Sequence, residues 1–288
     1  MRIASNKLKD IIDFAYQELD LLYEKSEIRS MIYSLIEHFT EFDLTKILTY
    51  KDELKVSESE LLKINFAIKD LKKEKPLQQI IGYTDFLDVR IDVNEHVLIP
   101  RVETEEIVQR VINENKGRKN LKIADICCGS GCIAIALKKA FPDANLYAYD
   151  ISEEALKKSK ENAEKNKEKI NFFKENILES KEKNQEFDII VSNPPYVRES
   201  EKAFMRNNVL LYEPALALFV SDKEPLIFYE HLLKFSNQNL AKNGKIYMEI
   251  NENLAKETEL LFKNFNYQTS VFKDLRGKDR LLLAKKDW

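Results

Sequence analysis

From residue 121 onward, short apolar runs alternate with stretches of helical periodicity, and this alternation constrains the fold more than any other feature of the sequence. Apolar strands that alternate with helices are typical of a mostly parallel sheet with helices on both faces. The sequence therefore predicts a doubly wound α/β domain, with helices that begin near Cys132 and Ser152. Seven strands are expected, at 123–126, 146–149, 171–173, 189–191, 245–248, 269–271 and 281–283, and the last two lie close enough in sequence to form an antiparallel edge hairpin.

The first 75 residues have a different character. They contain neither Gly nor Pro, and apolar residues such as Leu61, Ile64 and Ile68 recur at helical spacing. Ser57 followed by Glu60 is a capping box, which predicts the start of a helix that ends before residue 76. We therefore predict a small helical domain over residues 1–75.

The spacing of apolar residues along the chain changes after Pro76. Apolar residues alternate with charged ones from Leu87 to Val93, as in a half-buried strand, and the run 97–99 is expected to pair with it. Residues 76–100 are therefore predicted to form a linking β-hairpin between the helical domain and an α/β domain at 101–288.

Charge and apolar patterning limit the classes of partner. The chain has 46 Lys and Arg against 49 Asp and Glu, a formal net charge of −3, so there is no general field that gathers nucleic acid. No stretch approaches the roughly 18 consecutive apolar residues of a membrane span, and the N-terminus is charged where a signal peptide is apolar. We expect a soluble, cytoplasmic monomer that contacts neither membrane nor nucleic acid directly.

A glycine loop, Cys127-Cys128-Gly129-Ser130-Gly131, follows the first strand of the α/β domain and leads into a helix. Glycines at such a turn let a ligand approach the backbone, and the helix N–H groups can hold an anion. Asp150 ends the second strand, where a carboxylate accepts hydrogen bonds from both hydroxyls of a ribose. The alternatives are a structural turn and an acid near a helix start. A nucleotide cofactor is predicted to contact Cys127, Cys128, Gly129, Ser130, Gly131 and Asp150.

The loop does not identify the cofactor by itself. The run from Gly129 to Ala134 also fits the dinucleotide pattern G-x-G-x-x-G/A, so a nicotinamide-dependent oxidoreductase is one alternative. Against it, the 3 His residues lie in no evident site motif and offer no proton relay. Asp125, before the loop, favours S-adenosylmethionine, because it is placed to receive the amino group of a methionine moiety. A loop-bracing role for Asp125 is equally open.

All three cysteines cluster at this loop, at Cys127, Cys128 and Cys132. An odd, clustered set does not form the disulfide framework of a secreted protein, and the spacing lacks the paired C-x-x-C of a zinc site. We interpret the cysteines as small packing residues and expect no metal.

The tetrapeptide Asn193-Pro194-Pro195-Tyr196 follows another predicted strand, which the two prolines end at the carboxyl edge of the sheet, where ligands bind in such folds. The nitrogen of an amide or aryl amine is a poor nucleophile until acceptors hold its N–H groups. The Asn193 side-chain oxygen and the Pro194 carbonyl are expected to be those acceptors, stiffened by Pro195, with Tyr196 packed against a planar substrate. These four residues are the predicted catalytic set of a methyltransferase acting on a planar nitrogen. An edge turn without function is the alternative.

At these residues the sequence resembles the peptide chain release factor glutamine N5-methyltransferases, over nearly its whole length. Adenine-N6 DNA methyltransferases and several RNA methyltransferases share the tetrapeptide, whereas the segment 98–105 is more specific to this family. The matches also include 76–82, 213–218 and 248–250. The resemblance implies a helical substrate-recognition domain joined by a hairpin to a class I methyltransferase (Rossmann-like) domain.

The resemblance also implies the reaction and its ligands. A methyl group passes from S-adenosylmethionine to the glutamine of the Gly-Gly-Gln motif in release factors, leaving S-adenosylhomocysteine. Residues 127–131 are expected to line the methionine end of the cofactor, Asp150 to bind its ribose and Asn176 to lie near its adenine. Asn193 is expected to contact both the cofactor and the glutamine amide.

The chain departs from the family pattern at three places. The family often has Gly at Cys127, Pro at Val102 and an Asp-aromatic pair at Asn176-Ile177. The last departure bears on the adenine contact, because Asn both donates and accepts hydrogen bonds whereas ionised Asp only accepts. Arg101, Glu213 and Glu249 have no assigned role.

Two further hypotheses stay open on the sequence alone. A nucleic-acid adenine or guanine methyltransferase would share the tetrapeptide, although the near-neutral charge and the lack of a basic module count against it. A helical domain that only recruits a translation partner is the non-enzymatic alternative for residues 1–75.

Overall fold

The computed structural model describes residues 3–179 and 185–286, which fall into two units. One unit comprises Met1–Gly82 with Arg206–Tyr212, and the other comprises Tyr83–Met205 with Glu213–Trp288. No helix in the described ranges is both long and apolar enough to span a membrane.

The first unit is built mainly from helices. They are α1 (Leu8–Leu19), α2 (Lys25–Phe39), α3 (Leu44–Tyr50), α4 (Glu58–Leu71) and α5 (Leu77–Ile81). The predicted capping box begins α4: the Ser57 hydroxyl accepts from the Glu60 N–H at 3.3 Å, and the Glu60 carboxylate accepts from the Ser57 N–H at 2.7 Å. Ile32, Ile36 and Ile68 are buried in the core that these helices share.

The linking hairpin exists, but its strands differ from the predicted ones. β1 (Tyr83–Phe86) pairs antiparallel with β2 (Val89–Asp92), and residues 77–81 are helical. The predicted pairing of 97–99 is wrong: these residues form no strand, although Val97 and Ile99 are buried. The preceding segment is the nearer partner, because a turn at Leu87 and Asp88 closes the hairpin with a very short loop.

The second unit contains the α/β domain. Its first half has α6 (Val102–Glu114), β3 (Lys122–Ile126), α7 (Cys132–Ala140), β4 (Asn145–Asp150), α8 (Glu153–Lys165) and β5 (Asn171–Lys174). Next along the chain are β6 (Phe187–Ser192), β7 (Val197–Arg198), α9 (Asn207–Leu210), which belongs to the first unit, and β8 (Phe219–Val220). The domain ends with α10 (Ile227–Asn239), β9 (Leu240–Glu249), α11 (Ala255–Lys263), β10 (Tyr267–Lys273) and β11 (Asp279–Lys286).

The main sheet has seven strands in the order β10-β11-β9-β6-β3-β4-β5. The strands from β9 to β5 are parallel, and β10 and β11 form the predicted antiparallel edge hairpin. All seven predicted strands are present, so the predicted fold class is confirmed. The chain runs outward from β3 to β5 and then returns to the other side of β3 at β6. This reversal makes the carboxyl edge of β3 and β6 the expected ligand site.

Apolar cores cover both faces of the sheet. Successive residues of a strand point to opposite faces, so Ile189 and Val191 pack in one core with α6, α7 and α8. Ile190 packs in the other core with α10 and α11. Because both faces are buried, the central strands read as continuous apolar runs, and their carboxyl ends are held rigidly.

Candidate active site

The glycine loop joins β3 to α7 in a tight turn. The Gly131 N–H donates to the Cys128 carbonyl at 2.8 Å, and the Cys128 N–H donates to the Tyr149 carbonyl at 3.0 Å. Gly129 and Gly131 have φ of 53° and 79°, in the left-handed region that favours glycine. A Cβ on Gly131 would lie 3.0 Å from the Cβ of Ser159 on α8, whereas a Cβ on Gly129 would meet nothing within 4 Å. Gly131 therefore allows close packing, and Gly129 leaves an open face.

The three cysteines behave as the packing residues that the sequence indicated. Cys128 and Cys132 are buried, and Cys127 is partly exposed. Burial raises the pKa of each thiol, that of Cys132 to about 12, so they are neutral at physiological pH. Cys127 has a φ of 63°, a conformation that glycine adopts more easily, which fits its place where the resembling family often has Gly.

Asp150 lies at the carboxyl end of β4, beside the loop. Its Oδ2 accepts from the Gly129 N–H at 2.8 Å, and its Oδ1 accepts from the Ser152 N–H at 2.9 Å. Burial raises the pKa of this carboxyl, and the backbone hydrogen bonds oppose that rise. A carboxylate oxygen has more than one acceptor position, so Asp150 can bind the loop and accept from ligand hydroxyls together.

Asp125 lies behind the loop in the protein interior. Its side chain is fully buried, and its Oδ2 accepts from the Ala134 N–H in α7 at 3.1 Å. Its Oδ1 has no hydrogen-bond partner in the described part of the chain. Desolvation raises the pKa of Asp125 to about 7. The bond to the Ala134 N–H braces the start of α7 against the end of β3.

Asn193 follows β6 at the same edge of the sheet. The Ser192 hydroxyl donates to the Ile126 carbonyl at 2.7 Å and ties the end of β6 to the end of β3. The Asn193 amide nitrogen lies 3.1 Å from the Thr104 hydroxyl, in the first turn of α6. Pro194 and Pro195 are buried, so the backbone that carries Asn193 is fixed on both sides.

A hydrogen-bond network lies next to Asn193, around Glu249 at the end of β9. The Thr104 hydroxyl donates to Glu249 Oε2 at 2.6 Å, and the Tyr196 hydroxyl donates to Glu249 Oε1 at 2.7 Å. Burial raises the pKa of Glu249, while the two hydroxyl donors and the nearby charge of Arg280 oppose that rise. Tyr196 is therefore bonded into the protein rather than presented to a ligand.

An ion pair braces the segment before α6. Arg101 Nη2 donates to Glu213 Oε1 at 2.5 Å, and the Ile99 N–H donates to Glu213 Oε2 at 3.1 Å. The Glu213 side chain is almost completely buried. The pair holds the chain that enters α6, and so it holds Thr104 near Asn193.

A cavity opens at the carboxyl edge of the sheet within the second unit. Among the residues predicted to form the site, the following line it: Cys127, Cys128, Gly129, Ser130, Asp150, Asn176, Asn193 and Pro195. Asp125, Gly131, Pro194 and Tyr196 do not contribute to the wall. The predicted contact of the Tyr196 ring with a planar substrate therefore has no basis in the cavity wall, because its hydroxyl is directed to Glu249 instead.

The wall combines features that suit a nucleoside. Asp150 offers acceptors for ribose hydroxyls, and the open face of Gly129 admits a ligand close to the backbone. Ile151, Ile177 and Phe228 add apolar surface for a flat base. S-adenosylmethionine has these chemical parts, so the residues present fit it.

Thr104, Glu249 and Arg280 carry no functional signal of their own in the sequence, and the fold brings them into one network with Tyr196. Their connection depends on β9 lying beside β6, which brings Glu249 to Tyr196, and on α6 delivering Thr104 to the same point. The available signal was that Thr104 and Glu249 both fall inside the runs that carry the family resemblance, 98–105 and 248–250.

Comparison with known proteins relates this site to methyl transfer. Residues 90–218 match the family model of the methyltransferase small domain. The release factor glutamine methyltransferase of Flavobacterium psychrophilum is 44% identical over 270 residues, which cover 92% of this chain and 94% of that protein. The release factor glutamine methyltransferase of Bacteroides thetaiotaomicron is 37% identical over 278 residues, covering 96% and 99%.

Solved structures agree at the level of the fold. A methyltransferase from Pyrococcus furiosus is similar over 81% of this chain and 100% of its own, with a TM-score of 0.52 and 18% sequence identity. The likeness is one of fold, a mostly parallel sheet with helices on both faces.

Proposed function

The chain belongs to the release factor glutamine methyltransferases, and on this premise we propose which of its residues bind the cofactor and the glutamine. The enzyme transfers a methyl group from S-adenosylmethionine to the side-chain amide nitrogen of the glutamine in the Gly-Gly-Gln motif of peptide chain release factors. The prediction of a planar amide substrate is thus confirmed, and the oxidoreductase and nucleic-acid alternatives are set aside.

The cavity wall supports a cofactor position along the glycine loop. Residues 127–130 hold the methionine end, where Gly129 leaves the backbone open to a ligand. Asp150 accepts from the ribose hydroxyls, and Asn176 and Ile177 lie at the adenine. Asp125 and Gly131 act from behind the wall, by bracing α7 and by packing against α8.

The glutamine amide binds at the tetrapeptide. The Asn193 side-chain oxygen accepts one N–H and the Pro194 carbonyl accepts the other, which directs the nitrogen toward the cofactor. Two buried prolines keep these acceptors in place, so little ordering is needed when the substrate arrives. Asn193 also lies on the cofactor cavity, so the two substrates meet at this residue.

When bound, S-adenosylmethionine supplies a methyl group on a positively charged sulfur, an electrophile that needs no metal ion. The amide nitrogen forms a bond to the methyl carbon as the sulfur–carbon bond breaks, and the nitrogen then loses a proton to solvent. Asn193 and Pro194 favour this step by holding the N–H groups of a nitrogen that becomes more acidic as it is alkylated. Exclusion of water by the apolar wall strengthens these hydrogen bonds.

The position of Asn193 on the cofactor cavity carries this proposal. The test uses a bacterial release factor as acceptor and S-adenosylmethionine with a labelled methyl group. We expect label on the glutamine of the Gly-Gly-Gln motif and none on a release factor in which that glutamine is replaced by glutamate. Label on nucleic acid but not on release factor would contradict the proposal.

A substitution tests the role of Asn193. Removal of a preorganised hydrogen-bond acceptor costs about 100-fold or more in turnover, so Asn193→Ala should lower kcat by about that factor. The dissociation constant of S-adenosylmethionine, measured by calorimetry, should change by less than about threefold. A collapse of cofactor binding with unchanged turnover of bound enzyme would show that Asn193 serves the cofactor alone.

Several broader properties follow from this function. We propose that the helical unit recognises the release factor, that the enzyme acts in the cytoplasm where release factors work, and that it acts as a monomer without a metal or direct contact with nucleic acid. Light scattering measures the oligomeric state. Activity that survives treatment with a chelator would support metal-free chemistry, and activity restored only by added metal would contradict it.

A further inference from the structure

The hydrogen bonds around Thr104 have a defined direction. An ionised carboxylate only accepts hydrogen bonds, and a threonine hydroxyl has a single proton to donate. Glu249 accepts from two hydroxyls at 2.6 Å and 2.7 Å, distances typical of a hydroxyl that donates to a charged carboxylate. The proton of Thr104 is therefore committed to Glu249, and the Thr104 oxygen can only accept from its other neighbour.

That neighbour is the side-chain amide of Asn193, 3.1 Å away. Only the NH2 group of the amide can donate to Thr104, so the Asn193 oxygen must point to the opposite side. A half turn of the amide exchanges its oxygen and nitrogen at little steric cost, but it would place the Asn193 oxygen, an acceptor, against the Thr104 oxygen, which has no proton left to donate. The same half turn would present an NH2 group to the N–H groups of a substrate amide.

We propose that Thr104 and Glu249 are positioning residues that hold the Asn193 amide with its oxygen available to the substrate. This inference rests on the role of Asn193 proposed above. Glu249 is buried and hydrogen-bonded to Tyr196. Because Glu249 accepts from the Thr104 hydroxyl, the Asn193 NH2 group must in turn donate to Thr104. Neither Thr104 nor Glu249 needs to touch the glutamine.

The test removes the hydroxyl with little change of shape. Thr104→Val should lower kcat for release factor methylation by about tenfold or more, because a poorly oriented acceptor no longer aligns the nitrogen. Thr104→Ser keeps the hydroxyl and should retain kcat within about threefold of the native enzyme. The dissociation constant of S-adenosylmethionine should stay within about twofold in both variants. Should Thr104→Val fold poorly, Thr104→Ala removes the same hydroxyl and supports the same comparison.

Thr258→Val is a matched control. Thr258 is a fully buried threonine on α11, and its hydroxyl donates to the Leu254 carbonyl at 2.8 Å. This hydrogen bond does not involve the network around Glu249. It reports what the loss of a buried hydroxyl does to stability alone. Its melting temperature should fall, and its kcat should remain close to that of the native enzyme.

A double-mutant cycle separates this inference from the proposed function. If Thr104 acts through Asn193, Thr104→Val should cause less than about a twofold further loss in single-turnover rate when added to Asn193→Ala. A loss of full size in that background, or a Thr104→Ser variant as impaired as Thr104→Val, would overturn the positioning role and leave the role of Asn193 standing. An Asn193→Ala variant with native kcat would overturn both.

Discussion

Asp125 places an ionisable group where the protein offers almost no solvation. Its carboxyl is fully buried, and the single Ala134 N–H bond does not offset the cost of burying a charge. Its pKa is raised to about 7 from a usual value of 3.8. Between these two pH values the folded protein holds a proton on Asp125 that the unfolded chain has lost, so rising pH favours unfolding.

Replacement of Asp125 by asparagine should remove this pH dependence. The native free energy of unfolding carries a contribution from Asp125 that falls by about 2 kcal/mol between about pH 5 and about pH 7, and Asp125→Asn lacks it. The free energy of unfolding of the variant should therefore rise by about 2 kcal/mol relative to that of the native protein as the pH increases over this range. Urea unfolding without cofactor at both pH values measures the difference.

Asp143→Asn is the control for this titration, because it removes an aspartate that is exposed to solvent. The difference in free energy of unfolding between this variant and the native protein should be the same at both pH values. If Asp125→Asn also tracks the native protein, the buried carboxyl does not take up a proton on folding.

At the scale of the element, the loop between β3 and α7 uses its two glycines for different purposes. Both have positive φ, so an alanine at either position adds backbone strain of about 1 kcal/mol. A Cβ at Gly131 must also displace Ser159, whose Cβ would lie 3.0 Å away. A Cβ at Gly129 would meet nothing within 4 Å, and Gly129 lines the cavity.

Gly131→Ala should therefore affect stability more, and Gly129→Ala should affect cofactor binding more. Gly131→Ala should lower the free energy of unfolding by about 1 to 2 kcal/mol more than Gly129→Ala does, because of the added overlap with α8. Gly129→Ala should weaken S-adenosylmethionine binding more than Gly131→Ala does. Urea unfolding and calorimetry on the two variants check both statements, and equal effects in either measurement would refute the division of roles.

The elements that sequence could predict are those whose pattern is local. The central strands of the main sheet, such as β6, are continuous apolar runs because both faces are buried, and this local pattern makes them recognisable in the sequence. Pairing is not local: Val97 and Ile99 are as buried as strand residues, yet the partner of β2 is β1. The same limit applies to the site. The position of Asn193 on the cavity follows from the end of β6, which is a local feature of the sequence. The hydrogen bond from Tyr196 to Glu249 depends on which strand lies beside β6, which is not local.

At the scale of the whole molecule, the helical unit is not a continuous piece of chain. Residues 206–212 belong to it: the Tyr212 hydroxyl donates to the Lys73 carbonyl at 2.9 Å, and Asn207 Nδ2 donates to Glu74 Oε2 at 2.7 Å. Gln79 Nε2 donates to the Tyr212 carbonyl at 2.7 Å. Removal of residues 1–75 would take away Lys73 and Glu74, two of the partners of this segment, so recruitment by the helical unit is better tested with substitutions in the full chain.

The exposed face of α4 provides such a test. Leu62 and Phe66 lie one turn apart with exposed fractions of 54% and 56%, an apolar pair that a protein substrate can cover. If the helical unit recruits the release factor there, Leu62→Ser with Phe66→Ser should raise KM for whole release factor by about tenfold. Methylation of a short Gly-Gly-Gln peptide, which lacks the rest of the release factor, should be unchanged. Leu260→Ser with Phe265→Ser alters a pair with similar exposure, 58% and 52%, in the α/β unit, and should leave both substrates unaffected. Equal losses on release factor and peptide would mean that the substitutions disturb catalysis rather than recruitment.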